Sequence, residues 1–165
     1  MIGFIRVPAL ALAAAFIWMV AASQMPREVR LPLGGVVEGA VITQTFGCTR
    51  FELEPFDPFC PGHHIHTGID LAAPTGTRVS SATAGTARTG FDPAAAGMYV
   101  EVFVDSHVRI LYCHLSAILV SSGESVSPGQ VIGLVGSTGR ATGPHVHFEV
   151  QIDRRSVDPA AWLAS

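Results

Sequence analysis

The sequence predicts an all-β domain of mostly antiparallel strands, folded as a sandwich or half-barrel. Two observations support that class. From residue 36 onward, short runs rich in Val, Ile, Leu and Tyr are separated by clusters of Gly, Pro, Asp and Ser, the punctuation of strands joined by turns. Only the end of the chain, 157–163, carries a helical signature: Asp158 can cap it and Pro159 suits its first turn. At 165 residues there is room for one domain of ordinary size, and no internal repeat is apparent.

The chain divides into three parts. Residues 7–22 hold no charge, follow Arg6 and end in small residues, which is the pattern of a secretory signal cleaved after Ala22 or Ser23. An uncleaved anchor is the alternative, although the apolar run falls short of the ~20 residues a spanning helix needs. Residues 1–23 are therefore expected to be a signal peptide or an N-terminal membrane anchor, with 7–22 as the possible membrane tether. On either reading the protein is exported: secreted, periplasmic or held on the outer face of the cytoplasmic membrane. Residues 24–40, with two Pro and several Gly, read as a linker, and 41–165 as the domain. Strands are expected near 36–46, 77–88, 98–105, 108–115, 130–136 and 145–152.

Charge excludes some partners. The formal net charge is −3, all ten basic residues are Arg, and no basic cluster exceeds Arg154-Arg155, so nucleic-acid binding has little electrostatic support. Three Cys occur. In an exported chain Cys48 and Cys60, which bracket a turn-rich insert, are expected to form a disulfide, whereas Cys113 reads as a buried strand residue with no nucleophilic role.

The chemistry is carried by His66 and Asp70 in HTGID, His114 in LYCHL, and His145 and His147 in GPHVHFEV. Imidazole and carboxylate are the ligand set of a catalytic zinc site, which uses three protein ligands and leaves one position open. Four His and one Asp exceed that need, so the surplus points to groups acting on a water, and hence to hydrolysis. On a strand, residues two apart share a face, so His145 and His147 project together while Val146, Phe148 and Val150 enter a core. By the same rule Tyr112 and His114 share one face and Cys113 takes the other. HTGIDLAAPTGT reads as a turning connection in which Gly68 permits a bend bringing His66 and Asp70 together. Glu149 shares the face of His147 and is either a group orienting an imidazole or a solvated or structural carboxylate. His64-x-His66 repeats the spacing of 145 and 147, which makes His64 a rival ligand; His63, His64 and His107 are expected to be peripheral. No His-Glu-x-x-His helix is present.

HTGIDLAAPTGTRV, LYCHLSAILV and GQVIGLVGSTGRATGPHVHFEV resemble the M23 zinc metallopeptidases, the lysostaphin- and LytM-like endopeptidases of bacterial peptidoglycan, from about Val41 to Leu163. The resemblance implies that His66, Asp70 and His147 bind one zinc ion, and that His114 and His145 are catalytic. It also implies a groove across the sheet that holds the metal, with a peptidoglycan peptide as substrate. The loop 137–144, rich in small residues, is expected to form a wall of that groove and to place His145; Arg140 within it is expected to be an exposed, solubilising residue. The insert between Cys48 and Cys60 is not a common feature of that family.

Two other functions compete. A binding or activator module regulating another wall hydrolase would be expected to lack ligands, and here the full set is present. GESVSPGQVIGLVGSTG looks like the strand–turn–strand pattern of biotinyl and lipoyl carriers, but a carrier needs an acceptor Lys and the chain has none.

Overall fold

A computed structural model describes residues 30–165. The segment expected to be a signal or anchor, 1–23, lies outside the described residues. Among the described residues no helix is long and apolar enough to cross a membrane.

The described residues open with a single helical turn, α1 (Leu33–Val36). It then forms β1 (Val41–Gln44), β2 (Gly47–Thr49), β3 (His64–His66), β4 (Ile69–Ala72), β5 (Arg78–Ser80) and β6 (Gly85–Asp92). There follow β7 (Gly97–Phe103), β8 (Val108–Leu115), β9 (Ala117–Ile118), β10 (Ser125–Val126), β11 (Val131–Leu134), β12 (His145–Ile152) and β13 (Arg155–Val157). The terminal helix, α2, spans Pro159–Ala164. Its N-cap is Asp158, whose carboxylate accepts the Ala160 N–H at 2.9 Å, as the sequence predicts.

The main sheet has eight strands in the order β1-β4-β12-β8-β7-β6-β10, with β13 added beside the far half of β12. A three-stranded sheet, β5-β11-β9, packs with it, and β2 and β3 make a separate ribbon. Every pairing between these strands is antiparallel, in keeping with the predicted class. The core follows from period-two alternation. Val146, Phe148 and Val150 of β12 share a core with Ile110 and Tyr112 of β8, Val100 and Val102 of β7, Val79 and Ile132 of the smaller sheet, and Val135 just after β11, all at 0 % exposure. Phe148 and Tyr112 touch with ring centroids 5.4 Å apart. The opposite face of β12 is thereby left to His145, His147, Glu149 and Gln151.

The expected strand 77–88 is two strands in two sheets. β5 pairs with β11 and β6 with β7, so the backbone crosses between sheets at 81–84. Two hydrogen bonds tie down that buried crossing: the Ser81 hydroxyl donates to Thr83 O at 2.8 Å, and the Ala82 N–H donates to the Tyr112 hydroxyl at 2.8 Å, while the Thr83 hydroxyl is buried with no partner among the described residues. HTGID is likewise more regular than the expected turning connection, forming the end of β3, a two-residue link and the start of β4. Within the stretch read as a linker, Val36 and Val37 are buried at 0 % and 1 %.

Candidate metal centre and catalytic cleft

Strand register assembles the site. In the antiparallel ladders Asp70 of β4 and Cys113 of β8 both stand directly opposite His147 of β12, so the three side chains leave the sheet on one face. His66 arrives from the end of β3, fully buried. The link between His66 and Asp70 must pass under the His147 ring. A Cβ at Gly68 would lie 2.5 Å from the Phe148 carbonyl oxygen and 2.9 Å from the imidazole, so the glycine is required for close approach. Its φ is not in the left-handed region, which corrects the expectation of a special bend.

Three donor atoms converge. His66 Nε2 lies 3.1 Å from Asp70 Oδ1 and 3.0 Å from His147 Nδ1, and His147 Nδ1 lies 3.1 Å from Asp70 Oδ1. These residues form a group able to hold a metal ion. Ligand bonds of ~2.0–2.1 Å in tetrahedral geometry would place donors about 3.3–3.4 Å apart, so the triangle fits an ion of zinc's size with slight expansion. Each imidazole is also oriented from behind. His66 Nδ1–H donates to Thr45 O at 3.0 Å, leaving Nε2 as the lone-pair nitrogen. His147 Nε2 lies 3.4 Å from Glu149 Oε2 and 3.4 Å from the Thr67 hydroxyl, which itself donates to Glu149 Oε2 at 3.0 Å. Glu149 is buried, which excludes the solvated reading; its carboxylate faces the His147 ring at 3.4 Å and also accepts from Gln151 and Ser156 at 2.6 Å.

Electrostatics follow from the crowding. Burial alone would raise the Asp70 carboxyl pKa, but the hydrogen bonds from His147 and His66 outweigh it and hold the group well below the usual carboxylate range. Burial alone would likewise lower the His147 pKa, yet the bonds to Asp70 and Glu149 push it up to about 9. In the metal-free chain His147 is thus an imidazolium donating from both nitrogens.

His114 and His145 stand beside this triangle. Their ring centroids are 4.7 Å apart, and His114 is 6.3 Å from the His147 ring. Each has its Nδ1–H on a carbonyl, His114 on Thr138 O and His145 on Gly143 O, both at 2.9 Å, which leaves Nε2 of each as the free lone pair. His145 Nε2 is 3.8 Å from Asp70 Oδ1. Burial pushes His114 down to about 4, so it is neutral at physiological pH.

His114 departs from strand geometry. Its φ is 64°, in the left-handed region, and the β7–β8 register slips between Met98 and Val100. This overturns the expected faces: Tyr112 enters the core, Cys113 faces the cleft opposite His147, and His114 joins it there because its backbone is rotated out of the alternation. Such a conformation costs of order 1–3 kcal/mol in a residue other than Gly. It is held by the His114 N–H on Ala96 O at 2.8 Å and by Thr138. Cys113 is buried and its thiol pKa is pushed well up, first by burial and then by Glu149, so it is neither thiolate ligand nor nucleophile.

The remaining candidates lie apart from the centre. His64 Nδ1 donates to Glu54 O at 2.7 Å, and His63 and His107 are exposed. Arg140 is exposed at the cleft. Cys48 and Cys60 form the expected disulfide, with Cα atoms 5.2 Å apart. Phe51, Leu53 and Pro55 of the loop they close line the cleft together with Ala95, Arg140 and the histidines. That contribution had no signal in the sequence. Nor had Thr67, Thr45 O and Thr138 O, since a backbone carbonyl that fixes a tautomer leaves no mark in residue identity.

Comparison with known proteins agrees with this geometry. The chain is 43 % identical over 97 residues to the DD-carboxypeptidase/endopeptidase Mpg of Neisseria meningitidis, covering 59 % of this chain and 22 % of that protein. It thus spans about a fifth of the length of such curated relatives. A zinc-containing peptidase from Vibrio cholerae superposes with a TM-score of 0.68 at 35 % identity, over 81 % of this chain and 40 % of that one. The catalytic domain of lysostaphin from Staphylococcus simulans does so with a TM-score of 0.63 at 29 % identity, over 76 % and 93 %. The signature of peptidase family M23 matches residues 64–159, which include all five site residues and more than half of the sequence, and this chain is a member of that family.

Proposed function

We propose that the protein is a zinc-dependent endopeptidase that hydrolyses peptide bonds in bacterial peptidoglycan. The observation that carries the reading is the donor triangle of His66, Asp70 and His147 beside two further imidazoles with free Nε2 atoms. His66 Nε2, Asp70 Oδ1 and His147 Nδ1 would hold one zinc ion. Zinc bound there supplies Lewis-acid polarisation of the scissile carbonyl and a water acidified to a pKa of ~7.

The protein's own groups do the rest. His114, kept neutral by burial, is able to accept a proton at Nε2, and Thr138 O fixes the tautomer that leaves that atom bare. His145, tied to Gly143 O, directs its Nε2 toward the same space beside Asp70 and, when protonated, can stabilise an oxyanion, while the proton taken up by His114 passes from His114 to the departing amine. Glu149 and Thr67 keep the His147 ring from turning. Phe51, Leu53 and Pro55 give one part of the cleft an apolar wall against which a substrate could pack.

The peptidoglycan substrate is supported by the DD-endopeptidase names of relatives such as ShyA of Vibrio cholerae. Export is supported by the uncharged stretch 7–22 and by the Cys48–Cys60 disulfide. The activator alternative has no broken ligand to recommend it.

The test is digestion of purified peptidoglycan by the zinc-loaded chain and by His147→Ala, with mass analysis of the released peptides. New peptide termini are expected from the wild type only. Equal products from both, or none from a zinc-loaded wild type, would overturn the reading.

A further inference from the structure

We propose that a row of side chains crossing four strands, Glu149–Gln151–Arg109–Glu101–Arg88, selects the tautomer of His147 and so determines which of its nitrogens is offered to zinc. The proposal rests on the assignment of His147 as a zinc ligand.

The row lies on the outer face of the main sheet and is set by register. Gln151 of β12 stands opposite Arg109 of β8, and Glu101 of β7 stands opposite Arg88 of β6. Its links are unbroken. Glu149 Oε1 accepts Gln151 Nε2 at 2.6 Å; Gln151 Oε1 accepts Arg109 Nε at 2.8 Å; Arg109 Nη1 donates to Glu101 Oε1 at 2.9 Å. Glu101 Oε2 accepts Arg88 Nε at 2.6 Å. Charges alternate along the row, which offsets the cost of burying Glu101 and Glu149, both nearly inaccessible.

Only one member is chemically ambivalent. Arg is an obligate donor and an ionised carboxylate an obligate acceptor, but a glutamine carries one end of each kind. Arg109 Nε–H must face an oxygen, so the Gln151 carbonyl turns to it and the Gln151 NH2 is forced onto Glu149. That donor and the Ser156 hydroxyl, also at 2.6 Å, hold Glu149 Oε1. Oε2 is then committed to the side of His147, where Thr67 donates to it. An acceptor fixed at that position demands a proton on His147 Nε2, and the lone pair left over is on Nδ1, the atom that faces His66 and Asp70. The polarity of the row is thus transmitted from a half-exposed arginine to a partly buried imidazole. Glu101, Arg109, Gln151 and Arg88 are positioning residues; none touches the reacting atoms.

The test uses the full-length chain and zinc itself. Zinc dissociation constants are measured by competition with a chromophoric chelator for wild type, Gln151→Met, Arg109→Met and Ser156→Ala. The unfolding midpoint of each metal-free variant is recorded alongside. Groups that support a metal ligand from behind typically change affinity by 10–100-fold, so Gln151→Met is expected to weaken zinc binding about tenfold and Arg109→Met severalfold. Imidazole 15N shifts of the zinc-loaded variants are expected to show the His147 Nε2 proton exchanging faster than in wild type. Variants that melt earlier yet keep wild-type zinc affinity and 15N shifts would reduce the row to a structural brace and overturn the proposal. If Gln151→Met and Arg109→Met do not fold, Ser156→Ala, which removes one hydroxyl, decides by the same affinity measurement. A wild type that binds no zinc removes the ligand assignment and this inference together; wild-type binding with unchanged variants removes only this inference.

Discussion

His66 Nε2 and His147 Nδ1 stand 3.0 Å apart, nitrogen facing nitrogen. His66 has spent its proton on Thr45 O, so its Nε2 is a bare lone pair, and the approach is favourable only while a cation or a proton lies between the two rings. In the metal-free chain that proton is on His147, held there by Asp70 and Glu149.

Zinc must therefore displace a proton. Metal ligation needs a neutral imidazole, and His147 stays charged until the pH passes about 9. Zinc affinity is expected to rise with pH through the neutral range and level off above about 9. Titration calorimetry near pH 7.5 in two buffers of different ionisation enthalpy should show about one proton released per zinc bound. A heat independent of buffer would contradict it.

Two groups make the stability of the metal-free chain bell-shaped in pH. His114 is lowered from 6.5 to about 4, so between those values the unfolded chain binds more protons than the folded one and stability rises with pH. His147 is raised from 6.5 to about 9; its contribution is full below 6.5 and is lost as pH climbs through 9. The urea midpoint of metal-free protein is expected to peak near 6.5 and fall on both sides. Saturating zinc should reverse the alkaline decline, adding ~4 kcal/mol at a thousandfold excess over its dissociation constant.

The two classes of site residue should separate on substitution. Asp70→Ala is expected to lose zinc by metal analysis. His114→Ala should retain it and lose activity on peptidoglycan by on the order of 10²–10⁴-fold. Full zinc occupancy in Asp70→Ala would show that the carboxylate is not a ligand.

Gly68→Ala should be far worse than Gly143→Ala, although both residues flank the site. A Cβ at 68 meets the Phe148 carbonyl at 2.5 Å and the His147 ring at 2.9 Å, whereas one at 143 meets nothing within 4 Å. Overpacking of that kind costs about 1–3 kcal/mol, and here the displaced group is a candidate ligand. Chelator competition and thermal melts of the two variants compare the effects.

Reduction of Cys48–Cys60 is expected to lower stability by about 3 kcal/mol on the chain-entropy account, since the bridge joins residues 12 apart. Melts with and without a reductant, on wild type and on the Cys48→Ser/Cys60→Ser double variant, would show it. The double variant should be insensitive to the reductant.

Where the chain obeys simple periodicity, the sequence is a faithful guide. Val146, Phe148 and Val150 alternate with His145, His147 and Glu149, and the structure buries the first set and gathers the second at the site. The helix cap at Asp158 was legible for a similar reason, because capping chemistry is local. Legibility ended where tertiary context overrides the local rule. His114 reaches the cleft only through a left-handed residue in the middle of an apolar run, and nothing in LYCHL announces it. Ser81 to Ala84 changes sheets within what reads as one strand. Gly68 looked like a hinge when it is a clearance, because the ring it avoids is supplied by β12, 79 positions further along.

The hydroxyl of Tyr112 has a consequence for how the molecule comes apart. It belongs to the large sheet but takes the amide proton of Ala82, in the segment that passes to the small one. Prising either sheet away would strand a donor and an acceptor in a dry interior, a penalty of about 1–3 kcal/mol that neither layer can escape alone. Peeling is thereby discouraged, and the Ala82 amide should exchange with solvent deuterium only as slowly as the whole domain unfolds.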